Sequence, residues 1–196
     1  ALTDRMADYI NVARQHKAFL MYEWKDEPDI GTAAEVIDPN EVRRWTDQCH
    51  QLDPQHLVFC NVSGEPFARP KGNWAYDRIR SYTYLFGPRD AGGRNVLIAD
   101  VISQDYYPIE DANKNTERGY PISIEGMCLA MDRMVEWNAN LPMCMACVET
   151  CDIRNAATPA PTPAEVRFLA WANVIHGAKA ISWFHYFSPT PEENFR

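Results

Sequence analysis

The chain has 196 residues, enough to bury a core in one domain spanning 1–196, and its 46% apolar and 12% aromatic content excludes a disordered polymer. A net charge of −8 without a Lys/Arg cluster argues against nucleic acid and against an anionic membrane surface as partners. No apolar run reaches the roughly 20 residues of a spanning helix, and Ala1 opens a polar helical pattern instead of a targeting segment.

Residues 3–16 read as a helix, because Met6, Tyr9, Ile10 and Ala13 recur at three- and four-residue spacing. A strand is expected over 18–24, an apolar and aromatic run that turns abruptly into Lys25-Asp26-Glu27-Pro28. Proline cannot extend a central strand, so two adjacent carboxylates stand at its carboxyl end. Asp38-Pro39-Asn40-Glu41 opens the next helix, with Asp38 as N-cap, Pro39 at the first helical position and Glu41 placed to reach back in a capping box. Val42, Trp45, Cys49 and Leu52 form its apolar stripe.

The second strand is expected over 57–62, and Ser63-Gly64-Glu65-Pro66 turns away from it. A helix over 74–86 follows, bracketed by Gly72 and Gly87-Pro88. The third strand reads as 96–102, ending in Ser103-Gln104-Asp105-Tyr106-Tyr107-Pro108, again a carboxylate and aromatics closed by proline. A long polar loop leads to a helix over 123–138 with Met127, Met131, Met134 and Val135 inward. The fourth strand spans 141–148, with Glu149 at its end. Thr162-Pro163-Ala164-Glu165 is a second capping box; its helix runs to His176, with Gly177 as the stop, and 178–187 is the fifth strand.

Six cysteines stand at 49, 60, 128, 144, 147 and 151. Residues three apart on a strand point to opposite faces, so Cys144 and Cys147 do not share an ion, and neither a metal nor another cofactor is expected. Buried thiols are the default, with disulfides left open.

Strands begin near 18, 57, 96, 141 and 179, each gap filled by helix, which is the rhythm of βα units. Near-continuous apolar runs suit parallel strands covered on both faces. Carboxylates at the ends of three strands point to a (β/α)8 barrel, where all such ends meet at one mouth. A full barrel needs eight strands in about 250 residues. The expectation is therefore an incomplete barrel, strands four to eight, whose end strands invite the missing part or another copy of the chain.

The layout resembles the clan A (β/α)8-barrel glycoside hydrolases. The resemblance lies in Trp24-Lys25-Asp26-Glu27-Pro28, which is similar to their Asn-Glu-Pro type motif at the end of strand four, and in Cys147-Val148-Glu149-Thr150, similar to the end of strand seven. It implies a retaining glycosidase acting on an oligo- or polysaccharide, with Glu27 as acid/base and Glu149 as nucleophile. It further implies sugar contacts from Asp26, Trp24, Asp105, Tyr107, Trp183, His185 and Tyr186, flat apolar faces with polar edges matching sugar rings. Asp26 departs from the family's Asn, and an ionised carboxylate cannot donate a hydrogen bond there. The competing readings are a sugar-binding or degenerate barrel without turnover, and a metal-dependent hydrolase, for which the five histidines are poorly placed. His176, before a helix-stopping glycine, is read as structural.

Overall fold

A computed structural model describes residues 4–32, 34–111, 122–151 and 160–184. The elements alternate in order: α1 (Asp4–Ala13), β1 (Met21–Glu23), α2 (Pro39–Leu52), β2 (Leu57–Ser63), α3 (Glu65–Ala68), α4 (Trp74–Arg80), β3 (Val101–Asp105), α5 (Pro108–Asp111), α6 (Ile124–Trp137), β4 (Met143–Glu149), α7 (Pro163–Ile175) and β5 (Ala180–Phe184). The five strands form one sheet in the order β1-β2-β3-β4-β5, every neighbouring pair parallel. The sheet curls into a half-barrel of βα units. Among the described residues β1 and β5 pair on one side only, so the sheet has two open edges. No helix of the described residues is long and apolar enough to cross a membrane.

Strand periodicity of two sorts the side chains into two faces. The convex face carries Val58, Cys60, Val62, Ile102, Cys144, Ala146 and Val148, which merge with Ile10, Val42, Cys49, Met127, Met131 and Met134 of the helices into one core. Burying each Val, Ile or Met among them stabilises by roughly 1.5–3 kcal/mol. The register puts Glu23, Phe59, Val101 and Met143 in one row of the concave face, and Asn61, Ser103 and Met145 in the next. Above them stand Ser63, Asp105 and Cys147, paired with Ser182, and then Glu149, paired with Phe184. Cys144 and Cys147 do fall on opposite faces, and Cys49, Cys60, Cys128, Cys144 and Cys147 are free thiols.

The caps follow the sequence in most places. Thr162 and Glu165 form the full reciprocal capping box of α7, and Ser123 caps α6 through the Gly126 N–H. Asp38 accepts from the Asn40 N–H, but Glu41 does not reach back; it pairs with Arg44. His176 ends α7 and its Nδ1 lies 2.8 Å from Asp132 Oδ1.

Four expectations are corrected. The third strand is Val101–Asp105, not 96–102. The carbonyls of Leu97 and Ile98 are taken by Arg43 and Thr46 of α2, so that segment runs as a side-chain-clamped lead-in. Its end is fixed by Asp100, whose carboxylate accepts the Val58 N–H at 2.7 Å and meets His50 Nε2 at 2.8 Å. The helix expected over 74–86 stops at Arg80, because the hydroxyls of Ser81 and Thr83 bond back to the carbonyls of Arg78 and Arg80 and compete with helical pairing. The first strand shrinks to three residues at the sheet edge, where only β2 supplies partners. Two short helices, α3 and α5, stand where turns and loop were expected. Of the fifth strand, 185–187 lie outside the described residues.

Candidate functional site

The carboxyl ends of the parallel strands and the concave face they share are the polar part of the molecule. The loop after β1 is fastened onto β2 at several points. Glu27 donates its N–H to the Asn61 carbonyl at 3.1 Å, and the Asn61 amide donates to Asp26 Oδ1 at 2.9 Å. Ser63 gives its N–H to Asp29 Oδ1 at 3.0 Å and its hydroxyl to the other oxygen of the same carboxylate. The Tyr82 hydroxyl donates to the Pro28 carbonyl at 3.1 Å. Burial pushes the Asp29 carboxyl above the usual carboxylate range, against the hydrogen bonds from Ser63. Clamped this way, Glu27 holds φ at 44°, a left-handed backbone that a non-glycine residue keeps only when its surroundings impose it.

The end of β3 supplies the next groups. Gly64 donates its N–H to the Asp105 carbonyl at 2.7 Å, and a Cβ on Gly64 would lie 2.7 Å from that oxygen, so glycine is required for β2 and β3 to close together here. Burial holds the Asp105 carboxyl above the ordinary range, and nearby Asp26 pushes the same way. Burial, then Asp105, raises the Tyr107 hydroxyl, and Glu27 adds to this. Tyr107 stacks on Phe184 of β5 with centroids 5.2 Å apart. Two residues on, Ile109 donates its N–H to Glu149 Oε1 at 2.7 Å, and Glu149 has 0% exposure. Glu23 is pushed up to about 7 by desolvation, then by Asp26 and Asp105. Burial, followed by Asp105, pushes the Cys147 thiol up, which keeps it protonated and unsuited to nucleophilic work.

A cleft of about 250 Å³ opens at this end, lined by Glu27, Ile30 and Gly31 from the loop after β1 and by Asp105 and Tyr107 from the end of β3. Its other contributors are Ser63, Glu65, Pro66, Arg69, Trp74, Ala75 and Arg78, from β2 through α4. Arg69 and Glu65 pair at 3.6 Å, and the Arg78 guanidinium stacks on the Trp74 ring at 4.5 Å.

The cleft thus gathers Glu27, Asp105 and Tyr107 of the expected residues. Asp26 sits beside them on Asn61, and Glu149 stands at the end of the next strand, held by the same 105–109 segment that carries Tyr107. Trp24 and Trp183 lie elsewhere than the mouth. Trp24 packs on Trp45 of α2 at 6.4 Å and lines a crevice with Val42, Val58 and Cys60 of the helix-covered side. Trp183 is in register with Val148 on the convex face, beside Trp171 of α7 and 56% exposed. Both follow from the period of two, which turns the residue next to an inward one outward. His185 and Tyr186 lie outside the described residues. Sequence reasoning missed the wall from Glu65 to Arg78; the visible signal was a Trp between arginines in Arg69-Pro70-Lys71-Gly72-Asn73-Trp74 and Arg78. Among the described residues no group of three His, Cys, Asp or Glu is placed to hold a metal. No protein-family model matches this chain, and no curated protein matches its sequence.

Proposed function

We propose that the chain is the strand-four-to-strand-eight portion of a (β/α)8 barrel and carries a retaining glycoside hydrolase site with Glu27 and Glu149 as its two catalytic carboxyls. The observation that supports the site is that Glu27 and Glu149, 122 positions apart in the chain, both border the single segment 105–109: one neighbours Tyr107, the other accepts the Ile109 N–H. The barrel assignment draws on the two open sheet edges, each flanked by exposed apolar side chains: Tyr9, Val12 and Leu20 beside β1, Trp171, Ile175 and Trp183 beside β5. A further βα unit packed on either edge would cover them.

In this reading Glu27 enters protonated and gives its proton to the departing glycosidic oxygen. Glu149, ionised, attacks the anomeric carbon and forms a glycosyl ester. Glu27 then takes a proton from water as that water attacks the same carbon and releases the sugar with its configuration retained. The Asn61 bond to Asp26 keeps the carboxylate that stands in for the family's Asn turned to an amide donor. The Ile109 N–H holds Glu149 Oε1 in place at 2.7 Å.

The test is release of 4-nitrophenol from aryl glycosides of gluco, galacto and manno configuration and their uronide counterparts, by the wild type and by Glu27→Gln and Glu149→Gln. Turnover lost in both variants supports the pair; turnover retained in either removes that residue. A sugar-binding barrel without turnover is favoured by the complete burial of Glu149 and by Asp26 in place of Asn. It predicts saturable glycoside binding with no phenol released.

A further inference from the structure

We infer that the cleft recognises an anionic saccharide, with Arg78 as the residue that receives the sugar's carboxylate. This rests on the glycosidase reading and names its substrate class. Arg78 is half-buried in the cleft wall, with the Trp74 ring at 4.5 Å and the Gly31 carbonyl at a marginal 3.5 Å; its charge also reaches the buried Asp29 carboxyl, whose oxygens are bound by Ser63. The charge of the neighbouring Arg69 is already met by Glu65 at 3.6 Å. Stacking on Trp74 occupies the guanidinium's flat face and limits its rotamers while its N–H edge keeps the geometry that takes a carboxylate in a bidentate pair.

A neutral sugar covering this spot would strip water from Arg78 and return no charge, which is costly; a uronate replaces that water with a matched anion. The three acidic groups that share the cleft do not oppose this, and Glu65 among them is paired with Arg69. Asp105 is held toward its neutral form by burial, and Glu27 is the acid of the proposed mechanism. Trp74, 65% exposed, offers the apolar platform on which the same sugar ring or its neighbour rests.

The experiment uses the whole chain with methyl glycosides and methyl uronides of matching configuration, binding followed by NMR titration at low and high salt. The same pairs as 4-nitrophenyl derivatives report cleavage. The uronide should bind about tenfold or more tightly than its neutral twin, the value of a charge-assisted hydrogen bond, and the preference should shrink with salt. Arg78→Ala should erase the preference, Arg78→Lys should recover part of it, and Lys71→Ala, an exposed cation outside the cleft lining, should keep it. Equal affinity for both sugars, or a preference that survives Arg78→Ala, overturns the inference. Neutral glycosides cleaved without any acidic preference leave the hydrolase reading standing and remove this one. Failure of every glycoside to bind or to be cleaved removes both.

Discussion

The two faces of the curled sheet are made by the same strands and differ in where they place their polar groups. The convex side is mostly Val, Ile, Ala and Cys covered by the helices, with Trp183 exposed at the β5 edge and Gln104 of β3 buried without a polar partner. The concave side, one residue out of phase, carries Glu23, Asn61, Ser63, Ser103, Asp105, Cys147 and Glu149. Carboxylates there have raised proton affinities, and the backbone at Glu27 is held left-handed. Groups that are costly to bury are thus concentrated on the face that builds the cleft, while stability is drawn from the other. Substitutions on the two faces should therefore report on different properties.

The largest expected effect is on the concave rim. Glu27→Gln should lower the hydrolysis of glycosides with poor leaving groups by roughly 10²–10⁴-fold. Its effect on the melting temperature should be small, measured by parallel assay and thermal unfolding. A core substitution on the helix side should do the reverse: Met131→Ala, at a position with 0% exposure, should cost about 2–5 kcal/mol in denaturant titration and leave turnover per folded molecule intact. If Met131→Ala instead removed activity at unchanged stability, the division between the faces would be wrong.

Gln104 sharpens the contrast. It is buried on the convex side, and neither amide atom has a hydrogen-bond partner. Gln104→Met should therefore stabilise the fold by about 1–3 kcal/mol, an increase in the denaturation midpoint. At the periphery, Thr162→Ala removes one arm of the α7 capping box and should cost about 1 kcal/mol.

A pH dependence comes last, from Glu23, an exposed residue of the edge strand whose shift solvent screening reduces. Its carboxyl moves from an ordinary 4.5 to about 7 on folding, so the folded chain binds this proton more tightly than the unfolded one. Its stabilising share is complete below about pH 4.5 and is lost as pH rises through about 7. Melting curves of Glu23→Gln and the wild type should coincide near pH 4 and separate near pH 8, the variant being the more stable. Separation in the opposite sense would show that Glu23 is favoured as an anion.

The alternation of βα units was legible because parallel strands write themselves as continuous apolar runs with proline or polar ends, and the caps at Asp38 and Thr162 are local chemistry. The start of β3 was not, since the run through Leu97 and Ile98 is apolar for a different reason: side chains of α2 claim its carbonyls across more than fifty positions. The concave clustering of Asp105, Tyr107 and Glu27 followed from parallel strand ends. The outward turn of Trp24 and Trp183 depended on register, which composition at a strand end does not specify. The arginine–tryptophan wall escaped because α3 was read as a turn and the helix expected over 74–86, found as α4, lies away from the strand ends to which the site was assigned.

The most direct measurement of the central claim is to trap the covalent intermediate. The chain is incubated with a panel of 2-deoxy-2-fluoro glycosyl and glycuronyl fluorides, which slow release of the glycosyl ester, and digested for peptide mass spectrometry. The account predicts one added sugar on the peptide containing Glu149, present in the wild type and absent from Glu149→Gln. A sugar attached to another residue, or full hydrolysis with inversion of configuration, would contradict it.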